Sequence, residues 1–266
     1  MVRIVVVVAV LSLTHGSVVL ARITNLKTFL DQCPQSDPAY ETIRRDFIIG
    51  KDGAVVGAVP CTEPVSQLSA AQYTDELVLL QGLRAMYYMD RGQNGHLPWT
   101  PGSLYDWMLS KVRGINIAGG GSFCCISFDD GRYMQIREFD DSNREFDKNW
   151  RGIAGNIGLY AHEARHADGF PHSSCCGIDG GCDDTFDAGN LSPYGIQWWL
   201  DDLWLRGVID VGFGCLPPPE REATRQWHLS SVNSQFRNRF CTNKPDVRPS
   251  TAAPACVGAR RRAVRR

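Results

Sequence analysis

The sequence of 266 residues predicts an α+β fold, in which a small twisted sheet is followed by a mostly helical C-terminal half. Two observations support this prediction. Short runs of β-branched and aromatic residues flank glycine turns in the first half, which is typical of strands and hairpins. In the second half, apolar residues recur at intervals of three and four, which is typical of amphipathic helices. With 43% hydrophobic and 21% charged residues, the chain can bury a substantial core.

The N-terminal segment has the pattern of a secretory signal peptide. Arg3 supplies the positive charge, residues 4–13 are apolar, and Ala21 ends a small-residue cleavage site. The apolar run is too short to span a bilayer, and no other segment is long and apolar enough. We therefore expect residues 1–21 to be removed and the mature chain to be secreted or periplasmic, without a membrane span.

We expect one domain over residues 22–250 and a disordered basic tail over residues 251–266. Five of the last seven residues are Arg, whereas the formal net charge of the whole chain is −1. The remainder is therefore distinctly acidic, and a nucleic-acid-binding face is not predicted.

All 10 cysteines lie in the predicted mature region. An even number in an exported chain predicts up to five disulfides, with a connectivity that the sequence does not fix. The neighbours Cys124 and Cys125 are expected to bond to different partners rather than to each other. The alternative, a second metal site with cysteine ligands, lacks any CxxC spacing to support it.

Four strands are predicted in two pairs. Residues 45–50 and 54–59 flank a Gly turn, and residues 122–128 and 132–139 flank the Asp-Asp-Gly turn at 129–131. An Asp-Gly step between two alternating apolar runs is a strong hairpin signal.

Two helices are predicted between these pairs of strands. Ser69 and Gln72 form a capping-box pattern, which predicts a helix over residues 69–89. Thr100, followed by Pro at the first helical position, predicts a second helix that ends near residue 114.

Three further helices are predicted in the second half, over residues 150–166, 192–206 and 220–240. In the first of them, one stripe is apolar and expected to be buried: Ile153, Ile157, Tyr160 and Ala164. The opposite face carries Gly155, Leu159, His162 and His166. In the last of them, His228 is expected to have a structural role.

The first of these helices ends in an extended metal-binding pattern, HExxHxxGxxH. His162 and His166 are four residues apart, so they share one face of the helix and can bind one Zn²⁺ ion. Glu163 lies beside that face and can act on a metal-bound water as a general base. Gly169 can form the left-handed turn that ends a helix, which lets His172 return as a third ligand. Three protein ligands leave an open position, as in catalytic zinc sites.

The run HEARHADGFPH resembles the zinc motif of the zincin metallopeptidases, and in particular the extended motif of the metzincins. The resemblance implies a zincin-like fold, with His162, His166 and His172 as ligands and Glu163 as the catalytic base. Metzincins also have a Met in a turn below the zinc, after the third His. All five Met of this chain lie before the motif, so a Met-turn is absent. The resemblance further implies that a strand before the motif helix borders the cleft, and residues 133–138 are the candidate edge strand, with an ordinary interior strand as the alternative.

A second ligand scheme and one further catalytic residue are also open. In the aspzincins, an Asp before a Tyr-Gly pair is the third ligand, and here Asp187 precedes Tyr194 by seven residues. Asp187 is therefore the alternative to His172, whereas the other acids of this loop, including Asp183, are expected to be solvated. Tyr194 could stabilise an oxyanion, although a core-packing residue is the simpler interpretation.

Together these features predict an exported zinc metallopeptidase that acts on a peptide or protein substrate. Zinc-assisted hydrolysis of another amide would need the same groups, so the peptide substrate follows from the resemblance. The alternative from a different class is a non-catalytic, disulfide-stapled surface or binding protein with a structural zinc site. An intact Glu163 favours the enzyme, because a structural site has no use for that carboxylate.

Overall fold

The structure, a computed structural model, has a mixed α+β fold, as the sequence predicts. It describes residues 26–62, 64–69, 71–89, 97–100, 102–128, 130–139, 150–173, 181–205 and 217–245. The predicted signal peptide (1–21) and basic tail (251–266) lie outside these residues. Within the described ranges, no helix combines the length and the apolar character that crossing a membrane requires.

The helices precede, interrupt and follow the sheet. The helices are α1 (Leu26–Asp31), α2 (Tyr40–Asp46), α3 (Asp75–Tyr88), α4 (Leu104–Leu109), α5 (Trp150–His166), α6 (Pro193–Leu205) and α7 (Pro218–Ser230). The strands are β1 (Ile48–Lys51), β2 (Ala54–Val55), β3 (Gly114–Ala118), β4 (Phe123–Phe128) and β5 (Gly131–Arg137). Short 3-10 helices occupy Pro34–Ser36 and Val65–Gln67, and a π-helix at Ser231–Phe236 and a 3-10 helix at Arg237–Arg239 follow α7.

The sheet has the strand order β2-β1-β3-β5-β4. Strands β1, β3 and β5 are parallel, and the two outer strands β2 and β4 are antiparallel to their neighbours. Both predicted strand pairs are present as hairpins. The strand that the sequence analysis does not predict is β3, in which Ile115 and Ile117 are completely buried. It is only five residues long, and its two apolar residues are too few to establish a strand period.

The position of β5 supports the interior-strand alternative for residues 133–138 and not the edge strand. Strand β5 lies between β3 and β4, so it has no free edge. Strand β4 lies at that end of the sheet instead. Strand β4 takes the outer position because β5 pairs with β3, the strand missing from the prediction.

Helices α3 and α4 begin later than predicted. Thr74 caps α3 by accepting the Leu77 N–H at 3.4 Å, and Ser103 caps α4 by accepting the Asp106 N–H at 2.9 Å. The capping-box contact between Ser69 and Gln72 does form, with 2.8 Å between Ser69 Oγ and Gln72 Oε1, but it closes only a turn. Acidic residues in the first turn of each helix follow the later caps. Negative charge near a helix N-terminus is stabilising, so these residues favour the later start of each helix.

Helix α5 packs on the sheet and on α3, with α6 and α7 along its other side. Ile157, Tyr160 and Ala164 are fully buried, as the predicted apolar stripe requires. Tight packing does not require the glycines on the opposite side, because a Cβ atom would make only ordinary contacts there. A Cβ atom at Gly155 would lie 3.4 Å from Trp227, and one at Gly158 would lie 3.7 Å from Gln197.

The C-terminal helices follow the prediction in part. Helix α6 begins at Pro193, but the helix predicted over residues 220–240 is divided into α7, the π-helix and the last 3-10 helix. His228 is buried, and its Nδ1 lies 2.8 Å from Asp201 Oδ1, which agrees with a structural role.

Two disulfides lie in the described ranges. One joins Cys33 and Cys61, and the other joins the neighbours Cys124 and Cys125. The second contradicts the expectation that these neighbours bond to different partners.

Candidate metal centre

Three histidine side chains converge at the C-terminal end of α5. His162 and His166 lie about one helical turn apart, and their Nε2 atoms are separated by 3.2 Å. The Nε2 atom of His172 lies 3.1 Å from that of His162. Among the described residues, these three histidines form a group of possible metal ligands whose ligand atoms all lie within 4.8 Å of one another. The structure thus brings together the three histidines of the motif.

The chain returns toward α5 through the turn predicted at Gly169, where φ is +85°. Arg165, which occupies an unspecified position of the HExxH motif, holds this turn in place. Its buried guanidinium donates from Nη1 to Asp168 at 2.9 Å, and its Nε donates to the Leu191 carbonyl at 2.7 Å. The same group lies 3.7 Å from the centre of the Phe170 ring. Because Arg165 is on α5, the loop that carries the third histidine is fixed to the helix of the other two.

Each of the three imidazole rings has a hydrogen-bond acceptor at Nδ1. The pairs are His162 with Gln197 Oε1 at 2.7 Å, His166 with the Phe170 carbonyl at 2.6 Å, and His172 with Asp183 Oδ1 at 3.0 Å. These acceptors require a proton on each Nδ1, so in its neutral form each ring carries its lone pair at Nε2. Lone pairs that face one another at 3.1 and 3.2 Å repel unless a cation lies between them.

This donor set fits zinc. Zn–N bonds of about 2.0–2.1 Å in tetrahedral geometry place the ligand nitrogens about 3.3–3.4 Å apart, and the observed separations of 3.1 and 3.2 Å are close to that spacing. Burial lowers the pKa of His162 well below its usual value, and the neighbouring His166 and His172 add to the effect. The ring is therefore neutral at pH 7, which is the form that binds metal.

Asp183 connects the third histidine to helix α6. Its side chain is completely buried, which contradicts the prediction of a solvated loop carboxylate. While Oδ1 faces His172, Oδ2 accepts hydrogen bonds from Ser192 Oγ at 2.8 Å and from the backbone N–H groups of Tyr194 and Gly195 at 2.6 and 3.2 Å. Those N–H groups belong to the first turn of α6, where backbone donors and the helix dipole stabilise a carboxylate.

Sequence reasoning misses both Asp183 and Gln197, although one signal was present. A helix that begins with Ser-Pro needs an acceptor for its first N–H groups, and a nearby loop acid can supply it. Gln197 gives no such signal, because its partner lies 35 residues earlier in the chain.

Glu163 is buried beside the histidines, with 3% of its surface exposed. Burial raises the pKa of Glu163 to about 7, and a backbone hydrogen bond from Cys124 on strand β4 opposes that rise. Its Oε2 atom has no hydrogen-bond partner among the described residues. A buried carboxylate oxygen without a protein partner is costly to maintain, so it is free to interact with a water, an ion or a ligand in the cavity.

The histidines and Glu163 face a cavity of about 820 Å³. One wall is apolar, with Phe123, Leu159 and Phe236, and polar groups, including Ser122, Gln197, Asn238 and Arg239, line other parts. A cavity of this size can hold several residues of a peptide or a small organic molecule.

Of the two remaining sequence-predicted residues, the structure brings one to the site. The Tyr194 ring stacks on His172, with 4.6 Å between the ring centres and 21° between the planes, and meets His162 edge-on at 4.7 Å. Burial raises the pKa of the Tyr194 hydroxyl, so it is a protonated hydrogen-bond donor at pH 7. Asp187 is exposed and accepts the Gly189 N–H at 2.9 Å, outside the histidine group.

Comparison of the chain with protein-family models, with curated proteins and with solved structures finds no match in any of the three. The resemblance to zinc enzymes therefore rests on the motif residues alone. The site geometry, three imidazoles with convergent Nε2 atoms next to a buried carboxylate in a cavity, can hold a metal and transfer a proton beside it.

Proposed function

We propose that the chain is an exported zinc metallopeptidase with a zincin-like arrangement of sheet and motif helix. The observation that carries the proposal is Glu163 Oε2, a buried carboxylate oxygen without a partner in the described residues, next to three histidines with convergent Nε2 lone pairs. Export rests on the pattern of residues 1–21.

His162, His166 and His172 would hold the zinc ion. Bound there, zinc would act as a Lewis acid, which lowers the pKa of a coordinated water and polarises the substrate carbonyl. The acceptors at the three Nδ1 atoms orient the rings and keep the lone pairs at Nε2, which strengthens metal binding.

Glu163 would transfer the proton. Its carboxylate accepts a proton from the attacking water as the new C–O bond forms, and then donates that proton to the amine nitrogen as the C–N bond breaks. A pKa near 7 suits both roles, because the group can be unprotonated before attack and protonated before departure at the same pH. Tyr194, next to His172, would donate a hydrogen bond to the carbonyl oxygen as negative charge develops on it.

Strand β4 is the best candidate for pairing with an extended peptide. Among the described strands, it pairs with β5 on one side only, and Ser122 and Phe123 at its start line the cavity. The Phe123 side chain is 43% exposed. An exposed strand edge beside a reactive centre can bind a peptide by main-chain hydrogen bonds.

The Glu163→Gln variant tests the proposal. Gln has the size of Glu but cannot accept the proton from water. If Glu163 is the general base, hydrolysis of a broad peptide library by the zinc-loaded protein should fall about 10²–10⁴-fold. Zinc stoichiometry and Tm should stay near those of the wild type.

Glu222→Gln is the matched control, because Glu222 is exposed on α7 and, within the described ranges, accepts hydrogen bonds from Arg225 and Gln226. It should leave hydrolysis unchanged. A zinc-loaded wild type that cleaves no peptide in the library would contradict the enzyme and favour the binding protein with a structural zinc site.

A further inference from the structure

Arg239 lies in the cavity wall next to Tyr194 and is held in a fixed position. Its backbone carbonyl accepts the Asp183 N–H at 2.9 Å, and its Nη1 donates to the Gly181 carbonyl at 2.8 Å. The guanidinium carbon lies 5.0 Å from the centre of the Tyr194 ring. The cation is thus fastened to the same loop that supports His172.

The Arg239 guanidinium has no carboxylate partner in the part of the chain that the structure describes. Nη1 bonds to a neutral carbonyl, and no ion pair joins the group to Glu163, the acid that shares the cavity. A guanidinium has five N–H donors in a planar fork, so most of its hydrogen-bonding capacity remains available. Its planar fork matches the two oxygens of a carboxylate.

The charge lies close to the reactive centre. The Arg239 guanidinium is 5.0 Å from the Tyr194 ring centre, which is itself 4.6 Å from the His172 ring centre, so it lies less than 10 Å from His172. An extended peptide advances by roughly 3.3–3.6 Å per residue, so this distance corresponds to at most about three residues of substrate.

We propose that Arg239 binds a substrate carboxylate, so that the protein prefers peptides with a negative charge within about three residues of the cleaved bond. This inference rests on the proposed peptidase function and names its substrate class. Two sources can supply the charge, the C-terminal carboxylate of a peptide or an Asp or Glu side chain. In either case a bidentate ion pair with Arg239 fixes the position of the peptide relative to Glu163.

One core peptide in three forms tests the inference with zinc-loaded protein. The first form has a C-terminal amide and neutral side chains, the second has a free C-terminal carboxylate, and the third has the amide and one Glu moved along the sequence. The wild type should cleave one of the charged forms with a kcat/KM about 10- to 100-fold higher than the neutral form, the range expected for a hydrogen-bonded charge. Mass spectrometry of the products locates the cleaved bond, and the preferred form identifies the source of the carboxylate.

Arg239→Gln should abolish this preference, so that the charged and neutral forms are cleaved with similar kcat/KM. Zinc content is measured on the same sample, because Arg239 also donates to the Gly181 carbonyl. Arg239→Lys keeps the charge without the fork and should retain part of the preference. Arg237→Gln is the matched control, because Arg237 lies on the same 3-10 helix, donates to the Pro245 carbonyl, and does not line the cavity.

Binding of the three peptides to the zinc-loaded Glu163→Gln variant separates this inference from the proposed function. If a charged peptide binds more tightly than the neutral one, and the added Arg239→Gln change removes the difference, the role of Arg239 is supported. This holds even if the wild type cleaves no peptide. In that case only the peptidase function fails. Equal binding and equal cleavage of charged and neutral peptides overturn the role of Arg239 and leave the peptidase function intact. A preference that persists in Arg239→Gln also overturns it.

Discussion

The Asp183→Asn variant tests how the site is supported. Asparagine has the shape of aspartate, but one of its two oxygens is replaced by an NH₂ group. In the wild type, both oxygens face donors: Oδ1 faces His172 Nδ1–H, and Oδ2 accepts from Ser192, Tyr194 and Gly195. Whichever way the amide is oriented, its NH₂ group meets another donor.

Whether zinc affinity or stability decreases depends on which way the NH₂ group of the new Asn side chain points. If the NH₂ group faces His172, the ring loses its orienting acceptor, and zinc affinity should fall about 10- to 100-fold. If it faces α6, the helix loses its N-terminal acceptor, and the free energy of unfolding of the metal-free protein should fall by about 0.5–2 kcal/mol. Either orientation therefore reduces one of two measurable quantities.

Two measurements on the same protein give both quantities. Zinc Kd is measured by competition with a chromophoric chelator at fixed pH, and the stability of the metal-free protein is measured by urea unfolding. Asp187→Asn is the control, because Asp187 is exposed and its substitution keeps an oxygen for the Gly189 N–H. If Asp183→Asn matched the control in both Kd and unfolding midpoint, the support assigned to Asp183 would be wrong.

Three further predictions concern the ligands and the turn between them. His172→Ala should lose bound zinc, with a zinc affinity lower by orders of magnitude in equilibrium dialysis, whereas Asp187→Ala should keep its zinc. Loss of zinc in Asp187→Ala and not in His172→Ala would favour the aspzincin scheme. Removal of zinc with a chelator should lower the Tm of the wild type, since a ligand at 100 times its Kd stabilises the fold by about 2.7 kcal/mol, and His172→Ala should show no such shift. Gly169→Ala should destabilise the protein by about 1–2 kcal/mol in urea unfolding, because φ is +85° and L residues are strained there. A Cβ atom at Gly169 would meet nothing within 4 Å, so a larger loss would indicate a cause other than this backbone strain.

The parts of the site that the sequence predicts are those set by local geometry. His162 and His166 share a helix face because of their spacing, and the turn at Gly169 returns the chain within six residues. Asp183 and Gln197 depend on how α6 docks against α5, and no local pattern encodes that docking. Arg239 is further away still, in the last 3-10 helix, so its place in the cavity follows only from the tertiary fold.

The same distinction holds for the fold. The hairpin of β4 and β5 is predicted because its turn lies within the chain segment that forms it. The order of the strands is not, because β3 pairs with two strands that are distant in sequence. Without β3, the sequence analysis leaves open whether residues 133–138 lie at the edge or in the interior of the sheet.

Helix α6 holds two of the three histidines from outside the motif. Gln197 contacts His162, and Asp183, bonded to the first turn of α6, contacts His172. If α6 separates from α5, both rings lose their orientation in the same event. An ion held by these rings would therefore be released in one cooperative opening rather than ligand by ligand. The residence time of the ion would be set by the rate at which α5 and α6 separate.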